Sequence, residues 1–394
     1  MLTRTPAVVV IGNHTQGLGI VRSAAAAGAA AWVVNDQCLS LVRFSRHLTG
    51  YRRLPPGTLA QLDRPGAAAT LKAALLGLPA EAPAALLGVD EDIVRFMHRH
   101  RAELAAKFFL PPLAWDAIYD KHQFSELVPE PARIETPLWD EAAVKQLTPP
   151  ERYVVKGRSG NRFRRATGEK AIPLNAFTAA RRARVFRTLP PGEVVVQPLI
   201  VTRRPVMSVC SFSVRGEITG LFGYEKLRQH PNQFGTGTYL RSVEVAPVRP
   251  VAAAILRRLD YTGISEIEFI HDDATGEWKV IEMNPRPWKS VHFATQCGVN
   301  LVGQLLAQVR GQRPEPNESY ARGRFWTDLA TDLPQMWRER RWPRYDAGFF
   351  ECVWNRADWG PGLALWTLFP LMAIEQWWSR RAARAAAMAG GPSA

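Results

Sequence analysis

The chain is 394 residues long, enough for two or three domains with sizeable cores. A hydrophobic fraction of 46% with 22% charged residues is ordinary globular composition, which excludes a disordered chain, a collagen and a disulfide-stapled miniprotein. Basic residues exceed acidic ones for a net charge of +14, a surplus that suits an anionic ligand, an acidic membrane surface, nucleic acid or simply a solvated basic face.

The four cysteines, Cys38, Cys210, Cys297 and Cys352, form no C-x-x-C pair, so zinc ribbons and thioredoxin-like redox chemistry drop out and nothing implies an oxidising compartment. At the N-terminus the apolar run Ala7 to Ile11 is too short for a signal-peptide core and has no cleavage site after it, so a cytoplasmic protein is expected. AVVVIG, an Ala-rich run from Gly17 to Ala27 ended by Gly28, and AAWVVND read as strand, helix and strand, which implies a parallel sheet. Gly12, Gly17 and Gly19, with Asp36 placed like a ribose-binding acid, invite a dinucleotide site. Their spacing is G-x-x-x-x-G-x-G, however, and the compact G-x-G-x-x-G turn is missing, so a nicotinamide cofactor is set aside. The stretch from Pro55 to Pro112, rich in Ala, Leu and Pro, adds a buried strand and its turn at LLGVDEDIV and completes a first α/β domain over residues 1–114.

Further along, Tyr153 to Lys156 is a short strand followed by a loop dense in base, where Lys156, Arg158, Arg162, Arg164, Arg165 and Lys170 face only Glu169. VVVQPLIV (194–201), SVCSFSVRGEITGLFGYEKLR (208–228), ISEIEFIHDD (264–273) and EWKVIEMN (277–284) read as successive strands with turns at Arg215-Gly216 and Thr275-Gly276. The second domain is therefore mostly antiparallel sheet with interspersed helices. After Gly311 the composition changes: eight of the thirteen tryptophans lie there, and GLALWTLFPLMAI (362–374) carries no charge before Arg380, Arg381 and Arg384. That run is short for a bilayer and contains Pro370, which leaves a core-packed helix or a segment lying in a membrane interface; core packing is the expectation.

The chemistry concentrates in ISEIEFIHDDATGEWKVIEMNPRPW. If Ala274-Thr275-Gly276 closes a hairpin, Glu268 and Glu282 face one side, and Asn284, two residues on, joins them. Two carboxylates and an amide oxygen on one face make a hard oxygen site suited to a divalent cation bridging nucleotide phosphates. Arg286 follows as a fixed positive charge. Glu268 stands among Ile264, Ile267, Phe269 and Ile270, and a carboxylate near a buried face is costly unless paired or bound to metal. His14, His47, His122 and His292 show neither metal-ligand nor triad spacing and are read as structural.

With these residues in view, the chain resembles the ATP-grasp ligases, in the branch of carbamoyl-phosphate-synthase-like and D-aspartate-ligase-like carboxylate-amine ligases. EIEF followed by IEMNPRPW resembles the metal hairpin of that family. YDKHQF (119–124) resembles the start of its ATP-grasp domain, YVVKG (153–157) its phosphate-contacting lysine strand, VVVQPLI its adenine hinge, and EKLRQHPNQFGTGTY (225–239) the loop after its second-lobe hairpin. The five elements occur in the family's order over about residues 115–310. The resemblance implies an α/β and α+β architecture: a parallel pre-ATP-grasp domain, a two-lobed ATP-grasp domain over 115–310 with a hinge near 194–201, and a Trp-rich extension over 311–394. It implies ATP with Mg2+ or Mn2+ as cofactors, the metal on Glu268, Glu282 and Asn284, ATP contacts from Lys121, Lys156, Lys226, Gln197, Leu199 and Ile200, and catalytic roles for Arg286 and Arg228. Gly157 and Gly160 would let a mobile loop close over the triphosphate.

The implied reaction joins a small-molecule carboxylate to an amine, or to a thiol, through an acyl phosphate, with no side-chain nucleophile. Two features depart from the family pattern: Pro198 stands where an acidic hinge residue is common, and RRPV (203–206) offers no acid for the ribose hydroxyls. A degenerate ATP-binding scaffold held to a membrane or polyanion by the basic loops and 360–384 is the competing class, which the retained Glu, Glu, Asn and Arg oppose. Nucleic acid is disfavoured because no recognition motif accompanies the charge. The acid, the amine and the oligomeric state are left open.

Overall fold

In the computed structural model, which describes residues 7–12, 15–79, 83–110, 115–340 and 348–389, the first apolar run forms β1, Val8–Ile11, with every side chain fully buried. His14 and Trp342 lie outside the described residues. Four more strands pair in parallel with or beside it: β2, Ala31–Asn35, β3, Leu48–Arg53, β4, Ala84–Gly88, and β5, Phe108–Phe109, in the order β3-β2-β1-β4-β5. Central strands covered on both faces must be apolar throughout, which is why AVVVIG and AALLG show no alternation. The buried strand expected at LLGVDEDIV is the end of β4. The chain then turns at Asp90, whose carboxylate accepts the Ile93 amide at 2.9 Å and starts the helix Glu91–Arg99.

Glycine at position 19 has a packing reason. A Cβ there would stand 3.2 Å from Val291 Cγ1, so its absence lets the helix Thr15–Ala26 lie close to the segment beginning at Val291. Asp36, the other element of the dinucleotide reading, is buried and accepts the Leu59 amide at 3.0 Å.

The chain divides into two units. One holds Met1–Pro111, Arg286–Tyr320 and Phe349–Ala394; the other holds Pro112–Pro285 and Ala321–Gly348. Each is thus discontinuous in sequence.

The second unit contains a small antiparallel sheet of β6, Tyr153–Gly157, β7, Ala171–Pro173, and β8, Val194–Pro198, in the order β7-β6-β8. The basic stretch after β6 is not a loop: Gly160–Thr167 is a helix. Phe163, fully buried, anchors one side of it, and Gly168 closes it in the left-handed conformation at φ 83°. Gly157 is required by close approach, since a Cβ there would fall 2.2 Å from that of Phe163.

The larger antiparallel sheet of this unit is built from β9, Val206–Val214, β10, Glu217–His230, β11, Thr236–Ser242, β12, Gly263–Asp272, β13, Glu277–Asn284, and β14, Phe325–Thr327. They lie in the order β13-β12-β9-β10-β11-β14. The β9–β10 hairpin turns at Arg215 and Gly216, both at positive φ, as the sequence predicts.

Core packing fails as the reading for most of the uncharged run near the C-terminus. Gly360–Ala389 is one helix that buries Ala364 and Met372, while Leu363, Trp366, Phe369, Leu371 and Ile374 stay exposed. Among the described residues no helix is long and apolar enough to cross a membrane.

Candidate functional site

Alternation along β12 sends Ile267 and Phe269 into a core shared with Ile255 and Leu256 of the helix Arg249–Arg258, which places Glu266 and Glu268 on the opposite face. Gly276, at φ 76°, turns the chain into β13. The register sets Glu268 directly across from Glu282 and Glu266 across from Asn284. Lys226 of β10 reaches this face and pairs with Glu268, Nζ to Oε1 at 2.6 Å, both side chains buried.

Burial alone would raise the Glu282 carboxyl, but the ammoniums of Lys121, Lys170, Lys226 and Lys156 outweigh it and hold the carboxyl below its usual range. Burial also tends to lower Lys226, and Glu268, Glu266 and Glu282 reverse that, so its ammonium is raised. Lys156 goes the other way: burial, with Lys121 nearby, brings it down to about 8 against the pull of Glu282 and Glu268. Lys121, Lys156, Lys226, Glu268 and Glu282 thus share one electrostatic patch, and Asn284 lies on the same hairpin face.

Two members of the patch were not singled out from sequence as site residues. Glu266 accepts the Tyr224 hydroxyl on Oε1 and the Asn284 Nδ2 on Oε2, the latter at 3.0 Å. Its signal was the E-x-E alternation, which puts Glu266 and Glu268 on one face. Lys170 stands immediately before β7; it was visible only as one more base in a basic stretch.

Among the described residues no three His, Cys, Asp or Glu side chains form a ready cage for a metal ion. The donor set is still the right one for a hard cation that takes its remaining oxygens from phosphate: two facing carboxylates, one of them held ionised, and an amide whose nitrogen is given to Glu266. These residues fit Mg2+ or Mn2+.

The residues expected at the adenine hinge, Gln197, Leu199 and Ile200, lie at and just after the end of β8. Gln197 is buried, gives its Nε2 to Thr136 Oγ1 at 2.7 Å, and has its Oε1 buried without a hydrogen-bond partner. The Leu199 amide is already spent on the Arg152 carbonyl at 2.8 Å, and Ile200 follows, half-buried. Lys121 opens the helix Lys121–Leu127 behind Asp120, which accepts the His122 amide at 3.0 Å and the Arg158 Nε at 2.6 Å.

Both arginines have other partners. Arg228 is buried against Asp332, with Nε 3.1 Å from each carboxylate oxygen and Nη2 2.5 Å from Oδ2, and its guanidinium lies 4.4 Å from the Tyr239 ring centroid. Arg286 belongs to the first unit, where its charge acts on Asp90.

Residues 237–311 match the family model of the carbamoyl-phosphate synthase L chain, ATP binding domain. The chain as a whole is similar to N5-carboxyaminoimidazole synthetase from Staphylococcus aureus, with a TM-score of 0.59 at 16% identity over 85% of each chain. The chain has the ATP-grasp fold. The ATP-grasp likeness extends to the biotin carboxylase domain of 2-oxoglutarate carboxylase from Hydrogenobacter thermophilus, solved with MgADP, ADP and bicarbonate. There the TM-score is 0.58 at 14% identity, over 82% of this chain and 74% of that one. L-amino acid ligase from Bacillus licheniformis gives 0.57 at 14% identity, over 82% and 79%. No curated protein matches the sequence at a significant level.

Proposed function

We propose that this ATP-grasp chain is an ATP-dependent ligase joining a small-molecule carboxylate to an amine, or to a thiol, through an acyl phosphate. The observation that carries the reading is the facing pair Glu268 and Glu282 surrounded by Lys121, Lys156, Lys170 and Lys226. Acceptors suited to a divalent cation and donors suited to phosphate oxygens share one electrostatic patch, drawn from the β12–β13 hairpin, β10, β6, the residue before β7 and the helix Lys121–Leu127. Two structures of the same fold also bear ligase or synthetase names, N5-carboxyaminoimidazole synthetase and L-amino acid ligase.

Glu268, Glu282 and Asn284 would hold Mg2+ or Mn2+, which when bound neutralises charge on the nucleotide phosphates. Lys121, Lys156, Lys170 and Lys226 bind and orient the phosphate oxygens. At the hinge, Gln197, Leu199 and Ile200 border the adenine. The Gln197 Oε1, an acceptor with no donor, suits the exocyclic amine of that base.

In the first step a carboxylate oxygen of the substrate attacks the γ-phosphorus and ADP leaves with the bond pair. The amine lone pair then attacks the acyl carbon, phosphate departs with the C–O pair, and the ammonium proton is lost to solvent. Arg286, two residues beyond Asn284, is assigned to the negative charge that develops in both steps. Arg228 is left out, because its guanidinium is taken by Asp332.

Phosphate release from ATP, screened over pairs of amino acids and small carboxylates, tests this reading. The expected products are ADP and phosphate, and Glu282→Ala should abolish Mg2+-dependent turnover with an unchanged circular dichroism spectrum. With hydroxylamine as surrogate amine a hydroxamate should accumulate, about 10²- to 10³-fold more slowly in Arg286→Ala. Formation of AMP and pyrophosphate, or wild-type turnover by Glu282→Ala, would overturn it.

A further inference from the structure

Among its described side chains, the helix Gly360–Ala389 is held by one side only. Ala364 and Met372 are buried, a Cβ on Gly360 would fall 2.2 Å from the Phe44 carbonyl oxygen, and Glu375 accepts the amides of Cys38 and Leu39 at 2.5 and 2.7 Å. The other side carries Leu363, Trp366, Phe369, Ile374 and Trp377 at spacings of three to five residues, with Leu371 and Trp378 alongside. All of these are about half exposed or more, and Trp366 is 71% exposed. From 360 to 379 the only charged residue is Glu375, and it is turned inward to those amides. So continuous an apolar face on a water-exposed helix marks an interaction surface.

We propose that this face lies in the interfacial region of an anionic lipid bilayer, parallel to its plane. Tryptophan side chains favour headgroup depth, and Trp366, Trp377 and Trp378 supply three of them. Directly after the uncharged stretch the sequence places Arg380, Arg381 and Arg384, and near the start of the helix Arg43 and Arg46 are exposed beside the partly exposed Phe44. Anionic headgroups complement that charge. A second copy of the chain does not, since residues 360–394 offer no acid except the occupied Glu375. The helix cannot span a bilayer, so the contact is peripheral. This inference is independent of the ligase reading.

Cosedimentation of the full chain with vesicles of phosphatidylcholine, with and without phosphatidylglycerol, tests the proposal. The chain should pellet with the anionic vesicles at low salt and be released as salt rises. Trp366→Ser/Trp377→Ser/Trp378→Ser, which replaces only exposed side chains, should keep its circular dichroism spectrum and lose at least about tenfold in vesicle affinity. Arg380→Gln/Arg381→Gln/Arg384→Gln should lose roughly a hundredfold for anionic vesicles alone. The proposal falls if the wild-type chain stays in the supernatant at low salt, or if both triple variants bind as it does. It also falls if light scattering shows a dimer that the tryptophan variant splits while neither form binds vesicles.

Discussion

At Lys156 burial and charge act against each other. Burial and Lys121 bring its ammonium to about 8, Glu282 and Glu268 resist, and a polyphosphate arriving on the same patch adds negative charge that favours the protonated form. ATP affinity should therefore weaken as pH rises through about 8, and Lys156→Arg should remove that inflection in calorimetric titrations. Lys156→Met at neutral pH should cost about 1.5–3 kcal/mol of ATP binding, the worth of a hydrogen bond to a charged group. The shift also has a stability consequence of fixed sign. The folded value lies below the ordinary 10.5, so between about 8 and 10.5 the unfolded chain holds a proton that the native one lacks, and this group's contribution rises with pH there.

Arg228 is the opposite case, a charge committed to structure. Asp332 is fully buried and also accepts the Thr238 hydroxyl at 2.6 Å, so Arg228→Ala would leave a carboxylate without its counter-ion. Urea unfolding should show a loss of about 3–5 kcal/mol, partly recovered in Arg228→Ala/Asp332→Ala. A variant as stable as wild type but inactive would return Arg228 to the catalytic group.

Between elements, one guanidinium ties the first helix to the segment leading into the last. Arg22 gives Nε to Asp358 Oδ2 at 2.9 Å, Nη1 to the Cys352 carbonyl at 2.9 Å, and Nη2 to the carbonyls of Val353 at 2.7 Å and Asp358 at 3.1 Å. Asp358 further accepts the Ser45 hydroxyl at 2.8 Å and the Arg46 amide at 2.9 Å. Burial would raise its carboxyl, but hydrogen bonds from Arg22, Ser45 and the Arg46 amide prevail and it is lowered. Stability from this group is therefore complete above the ordinary value of 3.8 and disappears as pH falls through the depressed folded value. Arg22→Met should lower unfolding free energy by about 3–5 kcal/mol at pH 7, with the gap to wild type narrowing at acid pH.

At the scale of the molecule, both units are assembled from distant stretches of chain. Truncation before Phe349 would remove every acceptor of the buried Arg22 guanidinium, and the product should be insoluble or lack a cooperative thermal transition. Truncation after Trp359 keeps Asp358 and, among the described side chains, removes mainly exposed apolar surface, so a soluble protein with a cooperative transition is expected by calorimetry.

Strand alternation and turn chemistry are local rules, which is why the β12–β13 hairpin, the Arg215-Gly216 turn and the common face of Glu268, Glu282 and Asn284 were legible in the order of residues. The parallel sheet around β1 was legible from the order strand, helix, strand, because a crossover helix returns the next strand in the same direction. Long-range partners follow no such rule. Asp332 lies 104 residues beyond Arg228 and Asp358 lies 336 beyond Arg22, and only the packed chain brings either pair together. The basic stretch after β6 became a helix because Phe163 found a core to enter, which composition alone did not show. The uncharged run near the C-terminus favoured core packing in the sequence yet stays largely exposed, because apolar side chains state what they avoid and not what covers them. Tertiary structure decided the matter by giving the helix a support along one side and leaving the other bare.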